Sequence, residues 1–277
     1  MKTTQDARAA NAASADAADS GTRELSTVER AIGTYSAYGW RARIGIVVPP
    51  GNTSNEAEFN LMAPEGVSIH ASRSPAFFEP ERAEQMLGCL REGVAQLGGG
   101  DRYDVVALGC TTSSMLLPVE ELDAQMAEMV GETPTTSAGG AVVRALRALG
   151  ARRIGVATPY PDSRNVLARS FLEGEGFEVL TLEALGIGEE TWQSQGGYLA
   201  RIPPEVAYRL ARQADRAEAD AVLISCTDLP TLSIVERLEE ALGKPVVTSN
   251  TAMFWDCMRR AGLGERTDGF GTLLAEH

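Results

Sequence analysis

Histidine is almost missing from this 277-residue chain, with two in all, and cysteine is scarce, with four. Cys89, Cys110, Cys226 and Cys257 follow no metal-ligand spacing, and two histidines cannot complete a site of four ligands. Neither a disulfide scaffold nor a zinc module is therefore expected. Aromatic residues make up only 6%. No segment approaches the 18 apolar residues that a membrane span requires. Surplus basic charge is also lacking: 25 Lys and Arg stand against 38 Asp and Glu, a formal net charge of −13. That balance excludes a nucleic-acid backbone or an anionic membrane surface as partner. No apolar run follows the basic start of the chain, so no secretory signal is read, and a cytoplasmic, reduced protein is expected.

What remains is an ordinary globular composition, 44% hydrophobic and 23% charged, enough for one large or two medium domains. Residues 1–30 hold four basic and five acidic side chains, so the acidity lies mainly in the rest of the chain. The opening stretch is Ala, Asp, Ser and Thr without an apolar pattern, and residues 1–36 are expected to form a disordered arm.

Comparison of the chain with itself shows a duplication. Arg43-Ile44-Gly45-Ile46-Val47-Val48-Pro49 recurs as Arg153-Ile154-Gly155-Val156-Ala157-Thr158-Pro159, 110 residues on. Asp104-Val105-Val106-Ala107-Leu108-Gly109-Cys110-Thr111 recurs as Asp220-Ala221-Val222-Leu223-Ile224-Ser225-Cys226-Thr227, 116 residues on. Thr133-Pro134-Thr135-Thr136-Ser137 is echoed by Lys244-Pro245-Val246-Val247-Thr248-Ser249. Three matches in one order indicate two copies of one unit. The expected lobes are residues 37–137 and 138–249, with residues 250–277 packing back on the first.

Each matched segment is a short apolar run ending in a turn residue, the pattern of a strand buried on both faces. Helical stretches separate them. Met86, Leu87, Leu90, Val94 and Leu97 mark an apolar face within residues 80–97, and Pro203-Pro204 opens a helix over about residues 204–216. The fold class is α/β, with two pseudo-symmetric, Rossmann-like parallel sheets facing each other across the active site. Chemistry in such sheets lies beyond the carboxyl ends of the strands, where Asn52, Cys110, Tyr160 and Cys226 fall. Cys89 and Cys257 lie inside amphipathic helices and read as packing.

Cys110 and Cys226 occupy equivalent places in the two repeats, each closing a strand before a hydroxyl-bearing turn. Two opposed thiols suit chemistry at a carbon between them: one adds to carbon or takes a proton, and the other returns a proton. Thr111, Thr112, Ser113, Ser114 and Thr227 offer hydroxyl and backbone N–H donors for a carboxylate becoming an enediolate. Ser113 and Ser114 read equally well as caps of the next helix.

These residues carry a family resemblance. Ile44-Gly45-Ile46-Val47-Val48-Pro49-Pro50-Gly51-Asn52, Gly109-Cys110-Thr111-Thr112-Ser113-Ser114, Ala157-Thr158-Pro159-Tyr160 and Ser225-Cys226-Thr227 resemble the aspartate/glutamate racemase superfamily. The branch is that of maleate cis–trans isomerase and arylmalonate decarboxylase. Pro245-Val246-Val247-Thr248-Ser249 and the helix bearing Phe254-Trp255-Asp256 are similar to the same branch, and the resemblance spans roughly residues 41–270. It implies a small carboxylate substrate, no cofactor and a homodimer. Cys110 is then the nucleophile that adds to maleate, Cys226 the opposed acid, and Asn52 and Tyr160 carboxylate binders. Release of a covalent succinyl-cysteine intermediate gives fumarate. The decarboxylase-like pattern keeps only the second cysteine, whereas this chain has both.

Three departures leave alternatives open. Glu189 or Glu190 falls where maleate isomerases carry a second carboxylate-binding asparagine. Thr111 to Ser114 is closer to the hydroxyl-rich pocket of the decarboxylase. Asp228 either caps a helix starting near Pro230 or orients a substrate amine, which would point to an amino-acid or hydantoin racemase. The alternatives are thus a two-base racemase, then an arylmalonate-type decarboxylase, then a noncatalytic binding protein. His70 reads as structural and His277 as terminal. Gly98-Gly99-Gly100 ends a helix and is no phosphate loop. The pocket is expected to be lined by neutral donors, Asn52, Thr111, Thr112, Tyr160 and Thr227, with no cation.

Overall fold

In the computed structural model, residues 37–194 and 199–277 are described; the arm expected over residues 1–36 lies outside them. The first repeat runs β1 (Ala42–Val48), α1 (Ser54–Met62), β2 (Val67–Arg73), α2 (Ala83–Gln96), β3 (Val105–Leu108), α3 (Thr111–Ser114), α4 (Val119–Val130), β4 (Thr135–Ser137) and α5 (Ala138–Ala148). The second runs β5 (Arg153–Thr158), α6 (Asp162–Gly174), β6 (Glu178–Ala184), α7 (Glu189–Ser194), α8 (Pro204–Ala214), β7 (Ala221–Ile224), α9 (Val235–Leu242), β8 (Val246–Thr248) and α10 (Ser249–Arg260). A short α11 (Thr272–Glu276) follows.

The duplication read from the sequence is a duplication of topology. Among the described residues there are two four-stranded sheets, ordered β2-β1-β3-β4 and β6-β5-β7-β8. All pairings are parallel, with Ile44 opposite Val105 in one sheet and Ile154 opposite Ala221 in the other. The aspartates that open β3 and β7 explain part of the repeated sequence. Asp104 accepts the Arg43 N–H at 2.8 Å and Asp220 accepts the Arg153 N–H at 2.8 Å, each clamping its strand to the first strand of its own repeat. The glycine after each arginine admits a close neighbour: a Cβ on Gly155 would overlap the Ala214 carbonyl at the end of α8.

Alternation along the strands builds the layers. Ile44, Ile46 and Val48 of β1, Val105 and Ala107 of β3, Ile154 and Val156 of β5, and Ala221 and Leu223 of β7 feed one continuous apolar core. α5, α6 and α10 add Val142, Leu146, Phe171, Leu172 and Phe254 to it. Phe254 meets Phe59 of α1 edge-to-face at 5.4 Å. The opposite strand faces pack outward: Val47, Val106 and Leu108 under α2 and α4, and Ala157, Val222 and Ile224 under α8 and α9. On α2, Met86, Leu90 and Val94 are buried, as the apolar spacing predicts. α10 packs against β3, β4 and α1 as well as α5. Its Asp256 is held by Arg144 of α5 at 2.9 Å and by Arg260 at 3.0 Å, a structural use of the Phe254-Trp255-Asp256 segment. Residues 38–277 form a single compact unit. No helix among the described residues is long and apolar enough to cross a membrane.

Candidate active site

β1, β3, β5 and β7 all end at one cavity of about 600 Å³, and the loops that follow these strands line it. The first repeat contributes Pro49 to Asn52 and Cys110 to Thr112; the second contributes Tyr160 and Cys226 to Asp228. Asn52, Cys110, Thr111, Thr112, Tyr160, Cys226 and Thr227 all line this cavity, whereas Ser113 and Ser114 do not. Cys89 and Cys257 do not line this cavity.

Cys110 sits at the N-terminus of α3, so its chain leaves the strand as the helix begins. Its thiol donates to Ser113 Oγ at 3.1 Å and lies 3.7 Å from Thr112 Oγ1. Ser113 in turn accepts from the Phe77 N–H and donates to the Phe77 carbonyl, while Ser114 accepts from the Gly139 N–H at 2.8 Å. Neither serine side chain caps α3; both fasten the cysteine turn to surrounding segments.

Cys226 has φ of +146°, the one positive value for a residue other than glycine among the described residues. Such a backbone costs on the order of 1–3 kcal/mol, which is sustained by the hydrogen bonds around it. The Cys226 N–H donates to Ser249 Oγ at 3.0 Å, and Ser249 also accepts from Thr111 Oγ1 at 3.0 Å. Ser249, at the start of α10, therefore ties the two cysteine turns together. The Cys226 sulfur faces the N–H groups of Asp228 and Leu229, but burial and then the Asp228 carboxylate push its thiol far up, so it is held protonated.

Tyr160 is buried, and its hydroxyl lies 3.2 Å from Ser225 Oγ. Burial, then the neighbouring Cys226, push the phenol well above its ordinary range. It is a donor, not a base. Asn52 donates to Thr227 Oγ1 at 3.1 Å and accepts the N–H groups of Ser54 and Asn55, and Thr227 donates to the Gly109 carbonyl at 2.9 Å. These two side chains close the loop after β1 onto the loop after β7.

Two readings need correction. Asp228 does not cap a helix near Pro230, where a 3-10 turn over Leu232–Ile234 precedes α9. Its Oδ1 instead accepts the Thr53 N–H at 2.9 Å and its carbonyl accepts Ser54 Oγ at 2.9 Å, so it caps α1 of the other repeat. The neutral lining is also wrong: Arg82, Arg164 and Glu79 line the cavity together with Asp228. Arg82 pairs with Glu79 at 3.6 Å. Glu189 does not itself line the cavity but pairs with Arg164, which does, and accepts from Ser163. Sequence reasoning also missed an apolar and aromatic wall of Ala76, Phe78, Ile187, Trp192 and Leu199. Those residues sit in loops and short helices whose local pattern carries no signal of what they face.

Asp228→Asn separates the two causes that raise Cys226. The amide still accepts the Thr53 N–H but carries no charge, so alkylation of Cys226 should begin at lower pH. Iodoacetamide labelling against pH, read by peptide mass, measures this; an unchanged profile would assign the whole effect to burial.

A sequence profile of the arylmalonate decarboxylase family matches residues 44–274, which include all these elements except the two ends. The chain belongs to this family. It is an enzyme of the family, whose named relatives have two activities. It is 29% identical over 248 residues to the maleate isomerase of Nocardia farcinica, covering 84% of this chain and 96% of that one. It is 30% identical over 239 residues to the arylmalonate decarboxylase of Bordetella bronchiseptica, again covering 84% and 96%. Among solved structures, a variant of the Nocardia farcinica maleate cis–trans isomerase with a covalently bound succinylcysteine intermediate superposes with a TM-score of 0.76. That match has 27% identity and covers 85% of this chain and 98% of that one.

Proposed function

We propose that the chain is a cofactor-independent, two-cysteine isomerase of a small carboxylate, with maleate to fumarate as its reaction. The observation that carries this reading is the pair of thiols, one from each repeat, at one cavity, with one thiol held protonated by its surroundings. Cys110, as thiolate, adds to one olefinic carbon of maleate. The displaced π pair moves into the adjacent carboxylate as an enediolate, and Cys226 delivers its proton to the neighbouring carbon. The succinyl thioether then turns about its central single bond. Cys226 thiolate takes a proton back, the double bond re-forms, and Cys110 leaves with its electron pair. Nothing is consumed.

Donors are supplied where negative charge grows. Tyr160, kept protonated, is suited to hold a carboxylate, as are the N–H groups beyond Cys110 and Cys226. Asn52 and Thr227, already bonded to each other, are carboxylate binders in this reading and fix the edge of the site. A two-base racemase uses the same thiol pair on an α-proton and is the second reading.

Proton NMR of the enzyme with maleate in deuterium oxide tests the proposal. Fumarate resonances should grow as those of maleate fall. Inert maleate, together with deuterium entering the α-position of an amino acid or a hydantoin, would replace the isomerase by the racemase.

A further inference from the structure

Away from the thiols, the cavity wall contains a cation whose hydrogen-bonding capacity is only partly used. Arg164, in the first turn of α6, is 6% exposed and lines the cavity. Its guanidinium carbon lies 4.5 Å from the centre of the Phe78 ring and 5.7 Å from that of Trp192. Nη1 donates to Ser163 Oγ at 2.8 Å and pairs with Glu189, whereas the buried Nε has no partner. Packing against the two rings accounts for the position of the guanidinium. It does not account for a buried N–H left without an acceptor, which is costly to maintain.

The groups around Arg164 fit an incoming anion. The Glu189 side chain is 45% exposed, so its carboxylate can return to water at little cost. Trp192 stands edge-on to Tyr160 at 5.6 Å, which joins the Arg164 end of the cavity to the phenol beside the cysteines. A guanidinium presents parallel N–H donors matched to a carboxylate. We propose that Arg164 binds the second anionic group of a dicarboxylate substrate, exchanging Glu189 for it, and so makes the site select dianions over monoanions. The inference rests on the reading above for the position of the first carboxylate.

Titration calorimetry on the full chain tests it with unreactive probes of matched length: succinate, glutarate and adipate against butyrate, valerate and hexanoate. The wild type should bind the best dicarboxylate at least about tenfold more tightly than its monocarboxylate partner. R164Q should abolish that preference while leaving monocarboxylate affinity within about twofold. E189Q, at an exposed position, should tighten dicarboxylate binding several-fold and leave monocarboxylates unchanged. No preference in the wild type, equal losses for both classes in R164Q, or unchanged selectivity in E189Q would overturn the proposal. If R164Q does not fold, E189Q decides. Maleate turnover is assayed in parallel: inert maleate with Arg164-dependent selectivity intact removes the isomerase reading alone, and turnover with selectivity independent of Arg164 removes this inference alone.

Discussion

Cys110→Ser should lower kcat for maleate by about a thousandfold or more, because the hydroxyl is a far weaker nucleophile than a thiolate. Cys226→Ser should fail differently. Serine retains a hydrogen bond to whatever lies opposite Cys110, but it offers no thiolate base to take the carbon-bound proton back. The covalent intermediate should then persist, and intact mass should rise by one maleic acid equivalent, located on Cys110 by peptide mapping. The relative trapped as a succinylcysteine shows that such an intermediate can be held on this fold. Full activity in Cys110→Ser would exclude covalent addition through this thiol. Loss of activity in both variants without any adduct, but with α-proton exchange in the wild type, would favour the racemase.

Glu58→Ala is expected to have the largest effect on stability. Glu58 lies on α1, 6% exposed. It accepts the Thr231 N–H at 2.6 Å, the Leu232 N–H at 2.8 Å and Asn250 Nδ2 at 2.7 Å. One carboxylate thus holds α1 to the loop after β7 and to α10. Alanine leaves three buried donors without this acceptor, a loss of about 3–5 kcal/mol by the measure of broken buried polar networks, readable as a lower urea midpoint. The pH dependence has a definite sign. Burial raises the Glu58 carboxyl above the ordinary 4.5, with its three hydrogen bonds opposing the shift. The folded state therefore binds its proton more tightly than the unfolded chain does, and ionisation costs stability. The favourable contribution is fully present below about pH 4.5 and declines as pH rises through the raised folded value. The stability difference between wild type and Glu58→Ala should accordingly be larger at pH 4 than at pH 8. A difference that grows with pH would contradict the burial argument.

How far each feature could be read in advance follows from how local its cause is. Strands buried on both faces are continuous apolar runs, so β1, β3, β5 and β7 were visible, and their repetition implied two sheets of one topology. The cysteines were marked by their equivalent positions at the ends of β3 and β7. The cap expected of Asp228 near Pro230 is absent because its side chain serves Thr53 and Ser54, 174 and more residues away, while the nearer helix begins only after a 3-10 turn. Its sequence neighbourhood looks the same in either case. Arg164 escaped notice because an arginine in a first helical turn is ordinary on the solvent side; only packing against Phe78 and Trp192 turns it inward.

The scarcity of metal ligands, the net acidity, the duplicated α/β plan and the two thiols with their hydroxyl-rich turns are all properties of the sequence. These follow from composition, from alternation along strands and from residues a few positions apart. Tertiary structure alone decided that Ser249 joins the cysteine turns, that Glu58 and Asp228 bind one repeat to the other, and that the acidic chain encloses Arg82 and Arg164 at its cavity. Hydrogen bonding and burial depend on distance in space. Net charge sums over the whole surface, whereas a ligand meets only the few groups that folding brings within a few ångströms.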